Sequence, residues 1–374
     1  MEIKTILEEF EVIAKDPVTY LRNLSENGKK IVLYTCSYVP DEIIWAFGFH
    51  PARVLGISET HQLSNSHLQP YCCPTAKAVL EDILSKKLPA AHVVFSNTCD
   101  TMQRVSDIVR INTDLEHFDF MVPTRLDSDT SKKYLREQIL NLAGFLKRRS
   151  LLLEQDRECF DDVSKINSAM ELFERIYRSV LKLAEIAQIS NKISNKDMHN
   201  IFIASAIMDR EDLAKKIEQL NDCIKESTTL NSVKKKIVLT GSLCCFPGIY
   251  EILDNAGAKV VYDDLCSGIR PYKRRIKLTG DWAYDIAKSL LERPICAAKF
   301  KGLFERILYL KDIVKKYRAQ GIIFLVPKFC DPHLFDYPDI KKEMDVPVLL
   351  LETDEKNQIK GPERTRIEAF LETI

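Results

Sequence analysis

Short apolar runs alternate with amphipathic segments along the first third of the chain. The run KIVLYT (30–35) predicts a strand, and PDEIIWAFG (40–48) predicts a helix with proline and two acids near its start. The alternation continues through CPTAKAVLEDILSKK (73–87), HVVFSN (92–97), CDTMQRVSDIVRI (99–111) and FDFMVP (118–123). This order of strands and helices is typical of a mostly parallel sheet.

The pattern changes to helical spacing from about residue 131 to 230. Apolar residues recur there every three or four positions with charges between them, as in Leu172, Ile176, Val180, Leu183 and Ala187. A second alternating set follows, with strands predicted at KKIVLT (235–240), AKVVYDD (258–264), GIIFLV (321–326) and VPVLLLE (346–352). We therefore predict an α/β protein divided into an N-terminal lobe (1–130), a helical bridge (131–234) and a C-terminal lobe (235–374).

Charge and composition narrow the classes of partner. The 374 residues include 54 Lys plus Arg and 54 Asp plus Glu, so no overall field favours nucleic acid or an anionic membrane. No uninterrupted apolar run approaches the roughly 18 residues of a membrane span. We expect a cytoplasmic protein with neither nucleic acid nor membrane as a partner. Eleven cysteines would stay reduced there, which leaves buried thiols, reactive thiols or metal ligands.

Cysteines recur just beyond the carboxyl ends of predicted strands, the edge of a parallel sheet where ligands bind. Those in this position are Cys36, Cys99, Cys244, Cys245, Cys266 and Cys330. Cys99 and Cys330 are each followed by Asp and a helix-compatible segment, whose first N–H groups would stabilise a thiolate. A single cysteine is more often a packed hydrophobe, and we interpret Cys159 and Cys223 in the helical region that way. Several cysteines at corresponding positions in two lobes favour a site.

The spacing of the thiols argues against a structural zinc site. Close CxxC or HxxxH pairs are missing, and only Cys72–Cys73 and Cys244–Cys245 are adjacent. Scattered thiolates converging from separate strand ends suit an iron–sulfur cluster better. None of the twelve glycines forms GxG, so the usual dinucleotide and ATP motifs are absent from the sequence.

Long motifs around these cysteines resemble the D-component of 2-hydroxyacyl-CoA dehydratases, a group that includes related subunits of ATP-dependent benzoyl-CoA reductase. The motifs include YTCSYVPDEIIWAFGFHPARVLG (34–56), YCCPTAKAVLED (71–82), VVFSNTCDTMQR (93–104), IVLTGSLCCFPGIYEILDNAGAKVVYDDLCSGIRPY (237–272), RPICAAKF (293–300), IIFLVPKFCDPHLFDYP (322–338) and GPERTRIEAFLE (361–372). The resemblance implies two Rossmann-like (flavodoxin-like) lobes joined by helices, with a [4Fe-4S] cluster in the cleft between them.

The resemblance also implies which cysteines of this chain bind the cluster. The three cluster ligands fall on Cys73, Cys99 and Cys330, with Cys72 as the neighbouring alternative to Cys73. Cys36, directly before SYVPDE, is expected to line the site. Cys244, Cys245, Cys266 and Cys296 are secondary candidates that would hold more iron, as in double-cubane relatives. Those relatives have a cysteine after the TG of LTGS, where this chain has Ser242, which counts against a second cubane.

The function implied is reduction of an acyl-CoA by one electron. A cluster with an open iron would bind the thioester carbonyl and deliver that electron. The family receives its electrons from a separate iron–sulfur ATPase activator, which fits the absence of an ATP motif, and pairs two homologous subunits. Two alternatives remain open: a double-cubane reductase of small molecules without CoA, and a noncatalytic cluster-carrying electron relay or scaffold.

Other polar residues carry weaker signals. Asp41 and Glu42 are candidate acids or bases, although acids in a helix's first turn more often cap it. The basic run RPYKRR (270–275) contains Arg270, Lys273, Arg274 and Arg275 and would meet CoA phosphates or form a solvated face. His333 is expected either to hydrogen-bond a cluster sulfur or to lie on a solvated loop.

Overall fold

The first sheet organises the N-terminal part of the chain. The computed structural model describes residues 3–153, 162–225, 235–301, 303–353 and 361–374. Within these ranges the first sheet has four parallel strands in the order β2-β1-β3-β4. The strands are β1 (Ile31–Tyr34), β2 (His50–Arg53), β3 (His92–Ser96) and β4 (Glu116–Phe120).

The second sheet repeats this topology in the C-terminal part. It also has four parallel strands among the described residues, in the order β6-β5-β7-β8. The strands are β5 (Lys235–Gly241), β6 (Ala258–Asp264), β7 (Gly321–Pro327) and β8 (Val348–Thr353). The α/β prediction with two parallel-sheet lobes is confirmed.

Helices connect the strands and join the lobes. In the first lobe they are α1 (Ile3–Lys15), α2 (Pro17–Glu26), α3 (Asp41–Ala46), α4 (Pro74–Leu84) and α5 (Asp100–Asn112). The middle helices are α6 (Asp129–Leu153), α7 (Asp162–Ala187), α8 (Asn195–Ser205) and α9 (Arg210–Lys225). The second lobe contributes α10 (Gly248–Asn255), α11 (Trp282–Glu292), α12 (Leu303–Tyr317), α13 (Asp331–Glu343) and α14 (Gly361–Glu372).

The middle helices pack on both lobes. α6 contacts β4 of the first lobe and α11 of the second, while α8 contacts α1 and α10. The α7 positions Ile176, Val180 and Leu183 are buried, as their helical spacing predicts. The largest buried core cluster therefore contains residues of both sheets and of the bridge. Among the described residues, no helix is both long enough and apolar enough to cross a bilayer.

The strand order places an opening at one edge of each sheet. In each sheet the chain reverses its direction of winding between the first strand and the third, that is, between β1 and β3 and between β5 and β7. The β1–β3 pairing runs from Val32–His92 to Tyr34–Val94, so the loops after these strands leave the sheet side by side. In open parallel sheets, ligands bind at the carboxyl ends of the strands at this reversal.

Candidate functional site

Three helices at this edge begin at a cysteine. Cys99 is the N-cap of α5 and follows β3, and Cys330 is the N-cap of α13 and follows β7. Cys73 is the N-cap of α4. The two sheets thus each bring a cysteine to the point where the strand order reverses, and α4 adds a third.

Local sequence explains why these helices start where they do. Pro74 occupies the first turn of α4 and Pro332 the first turn of α13, where a missing N–H costs nothing. Before α13, the Cys330 N–H donates to the Pro327 carbonyl at 3.2 Å, which closes a tight turn. Phe329 is the third residue of this four-residue turn, and its φ of 61° lies in the left-handed region. This turn takes the chain directly from the end of β7 to Cys330.

Burial and mutual repulsion keep these thiols protonated without a cation. Burial raises the pKa of Cys99 to about 11, with further increases from the charges of Cys73 and Cys296. Burial likewise raises the pKa of Cys330 to about 12, and Cys73 again adds to the effect. The pKa of Cys73 is also raised by burial. A set of thiols that repel one another as thiolates needs positive charge to ionise, which bound iron would supply.

Hydrogen-bond donors are placed to favour the thiolates. The backbone N–H of Met102 opposes the increase in the pKa of Cys99, and those of Ala76 and Thr75 do the same for Cys73. These amides belong to the first turns of α5 and α4. The sequence predicts this contact between the first N–H groups of a helix and the sulfur for Cys99. The Cys330 sulfur lies 3.6 Å from the Ser242 hydroxyl instead.

The three N-cap cysteines are not arranged like the ligands of a single metal ion. Among the residues that the structure describes, no three His, Cys, Asp or Glu side chains converge closely enough to hold a single metal ion. In a cubane each cysteine sulfur binds a different iron, so the ligands of a cluster stand farther apart than those of one ion. Soft sulfur donors from separate helices therefore fit a cluster better than a mononuclear metal.

The remaining cysteines have different surroundings. Cys244 is buried, and its thiol donates to the Phe246 carbonyl at 3.3 Å. The Cys245 thiol donates to the Leu55 carbonyl at 3.4 Å, and Cys72 packs against the core of the first lobe. Cys159 lies outside the described residues.

Cys296 and Cys36 lie close enough to the N-cap cysteines to affect their pKa values. The charge of Cys296 raises the pKa of both Cys99 and Cys330, and the charge of Cys36 raises that of Cys99. The loop after Cys296 is fixed to the first lobe because the Lys299 ammonium donates to the carbonyls of Asn97 and Val122 at 3.1 and 3.0 Å.

The acids at the start of α3 form buried ion pairs. Glu42 is fully buried, and its carboxylate lies 2.5 Å from the Arg274 guanidinium. Asp41 accepts from the Tyr34 hydroxyl at 3.1 Å and from Arg210 at 3.3 Å. These contacts support a structural role for both acids.

The basic run divides into buried and surface residues. Arg270 is buried against Asp264, with a 2.9 Å contact, and Arg274 is buried against Glu42. Lys273 and Arg275 line a surface groove with α7. Two of the four cations are therefore committed to internal ion pairs. His333 is buried in α13 beside Phe324, so its placement on a solvated loop is wrong.

Sequence reasoning missed two buried arginines beside the site. Arg53 in β2 donates to the carbonyl and the sulfur of Cys266, at 2.7 and 2.9 Å. Arg293 donates to the backbone carbonyl and the hydroxyl of Ser37, at 2.5 and 2.8 Å. The only signal in the sequence is a lone arginine within each apolar segment, HPARVLG and ERPICAA.

Comparison with known proteins shows which family the sequence matches. The chain is 23% identical to the (R)-phenyllactyl-CoA dehydratase beta subunit of Clostridium sporogenes over 98% of both chains. It is 22% identical to the beta subunit of (R)-2-hydroxyglutaryl-CoA dehydratase of Acidaminococcus fermentans over the full length of both. It is also 23% identical to a benzoyl-CoA reductase subunit of Thauera aromatica, over 94% of this chain and 92% of that protein. Residues 36–374 match the model of the family described as 2-hydroxyglutaryl-CoA dehydratase, D-component, and the chain belongs to this family.

Proposed function

We propose that this chain is the [4Fe-4S] subunit of a radical 2-hydroxyacyl-CoA dehydratase or a benzoyl-CoA-type reductase. Cys73, Cys99 and Cys330 would hold the cluster in the cleft between the lobes. The observation that carries the proposal is that all three cysteines are helix N-caps, and that they come from both lobes. When bound, the cluster would supply one-electron reduction of an acyl-CoA thioester.

The chain's own residues would prepare this site in three ways. The amides of Thr75, Ala76 and Met102 favour ionised sulfur at two of the ligands. The Ser242 hydroxyl does so at Cys330. Burial of the ligands limits access of water, and hydrogen bonds to the sulfurs help to set the reduction potential.

Partners follow from the names of the relatives and from the chemistry. The two dehydratase relatives are beta subunits, and the reductase relative is likewise named as one subunit of its enzyme, which supports a homologous second subunit. An electron reducing enough for this reaction requires an energy source, and the sequence has no ATP-binding motif of the usual kinds. We propose an iron–sulfur ATPase activator as the electron donor, an acyl-CoA as the substrate and the cytoplasm as the location.

The alternative role, a noncatalytic electron relay, is supported by a fourth thiol beside the three proposed cluster ligands. Cys296 acts electrostatically on both Cys99 and Cys330. A fourth cysteine ligand would close the cluster, which would then pass electrons to the partner subunit without binding substrate. The double-cubane alternative has less support, because the thiols of Cys244 and Cys245 already donate to backbone carbonyls.

Reconstitution of turnover tests the proposal. The chain, its homologous subunit and the activator are purified anaerobically and mixed with ATP, a low-potential reductant and either a 2-hydroxyacyl-CoA or benzoyl-CoA. We expect ATP-dependent turnover only with all three proteins, and Cys223→Ser, in α9, serves as the matched cysteine control. Turnover by the chain with activator alone would contradict the two-subunit arrangement. Failure of all three iron-loaded proteins with both substrate classes would contradict the function.

A further inference from the structure

Two buried cations next to the cluster site lack a carboxylate partner. Arg210, Arg270 and Arg274 are paired with Asp41, Asp264 and Glu42. Arg53 and Arg293 are equally buried, yet within the described ranges neither forms an ion pair with an acid. Their Nε atoms also have no hydrogen-bond partner. A buried guanidinium without a counter-ion is costly, so a negative charge is expected nearby.

Both arginines converge on one thiol. Arg53 Nη2 lies 2.9 Å from the Cys266 sulfur, and the Ser37 hydroxyl lies 3.7 Å from the same sulfur. Arg293 holds Ser37 in place through two hydrogen bonds and stacks 3.8 Å above the Tyr38 ring. Because Arg53 belongs to the first lobe and Cys266 follows β6 in the second, this arrangement joins the lobes.

The positive charges around Cys266 favour its thiolate, which then serves as the counter-ion of Arg53 and Arg293. Burial by itself raises the pKa of Cys266, but the guanidinium groups of Arg53, Arg270 and Arg293 more than offset burial and lower the pKa to about 7. The pKa of Cys36 is instead raised by burial and by the charge of Cys266. Cys266 is therefore the thiol of this pair that ionises at neutral pH.

A small cavity adjoins the sulfur. It has a volume of about 50 Å³ and is lined by residues of both lobes, among them Ser37, Arg53, Arg210 and Cys266. The unpaired Nε atoms of Arg53 and Arg210 belong to its lining side chains. This volume is large enough for a molecule of a few atoms, such as hydrogen peroxide.

We propose that Cys266 is a modification site for small peroxides, separate from the three N-cap cysteines. The thiolate attacks one oxygen of hydrogen peroxide, the O–O bond breaks, and hydroxide leaves. The sulfur loses two electrons and becomes a sulfenic acid, while the peroxide gains them. Arg53 and the Ser37 hydroxyl lie beside the sulfur, where negative charge develops on the leaving oxygen.

Alkylation kinetics of the full-length chain test the thiolate. The anaerobically purified protein is treated with iodoacetamide from pH 5.5 to 9.5, and each cysteine is quantified by mass spectrometry. We expect the rate at Cys266 to be half-maximal near pH 7, below the midpoint of an unperturbed thiol. Arg53→Gln should move the Cys266 midpoint above pH 8, a roughly tenfold loss of thiolate at pH 7. Ser37→Ala, which keeps Arg53, should move it much less.

Trapping of the sulfenic acid tests the modification itself. Less than one equivalent of hydrogen peroxide is added at pH 7, and the protein is then unfolded in urea that contains a 1,3-dione to capture sulfenic acids. We expect the adduct on Cys266 to exceed that on Cys223 at least severalfold, and to disappear in Cys266→Ser. If Cys266 has an alkylation midpoint above pH 8, or captures no more adduct than Cys223, the proposal is wrong. Both comparisons use the unmutated chain, so they hold even if Arg53→Gln fails to fold.

Discussion

Glu42→Gln should destabilise the protein strongly without removing its iron. Glu42 lies at the start of α3 in the first lobe, and its partner Arg274 follows β6 in the second. Arg274 also lies 2.8 Å from the Ser289 hydroxyl and 3.3 Å from that of Tyr177. Because both charges are buried, the neutral amide leaves an uncompensated guanidinium inside the protein.

The magnitude follows from the burial of the pair. Removing one partner of a buried ion pair costs about 3 to 5 kcal/mol, whereas exposed pairs contribute about 1 kcal/mol or less. We expect Glu42→Gln to lower the free energy of unfolding by the larger amount. Glu137→Gln, which removes an exposed acid paired with Arg136, is the matched control and should cost less than about 0.5 kcal/mol. The double variant Glu42→Gln with Arg274→Met should recover most of the loss.

Urea denaturation of proteins with equal iron content measures these effects. Trp45 in α3 and Trp282 in α11 place one fluorescent reporter in each lobe. A loss below about 1 kcal/mol in Glu42→Gln would refute the structural reasoning. If the same variant lost turnover while its stability was unchanged, Glu42 would act as a catalytic acid or base instead.

Three further predictions concern the ligands, the turn after β5 and the response to acid. Cys330→Ser should lose most of the iron that Cys223→Ser retains, measured by colorimetric iron assay, because a cubane held by two thiolates is weakly bound. Gly241→Ala should destabilise the chain by about 3 kcal/mol in urea, because a Cβ there would overlap the Leu325 carbonyl oxygen and φ is +119°. Burial lowers the pKa of His50 from 6.5 to about 4, so the unfolded chain binds a proton that the folded chain does not as the pH falls between these values. His50 should therefore contribute about 2 kcal/mol to the loss of stability from pH 7 to pH 5, and His50→Gln should reduce the total loss by that amount. The rest should persist, because burial also lowers the pKa values of His199 and His333.

Local patterns were sufficient to predict seven of the eight described strands and the N-cap cysteines. They missed β2 (His50–Arg53), whose sequence HPAR contains no apolar, β-branched run. The β7 sequence GIIFLVP is buried throughout, and its apolar, β-branched character marks a central parallel strand. The order of strand, cysteine, aspartate and helix then places Cys99 and Cys330 at helix starts, because helices of a parallel sheet begin at the carboxyl ends of strands. These features depend on residues that are close in sequence.

Contacts between the lobes could not be predicted in this way. Glu42 and Arg274 are 232 positions apart, and Arg53 and Cys266 are 213 apart. Such pairs depend on how two sheets and the bridging helices pack, and neither partner carries a local signal. The run RPYKRR reads as a uniform basic surface, yet the fold turns Arg270 and Arg274 inward to meet acids from other segments.

The iron and acid-labile sulfide content of the anaerobically purified chain tests the central claim most directly. A single cubane held by Cys73, Cys99 and Cys330 predicts a brown protein with about four irons and four sulfides per chain. A colourless chain that binds no iron after anaerobic reconstitution with iron and sulfide would contradict the cluster and the function built on it.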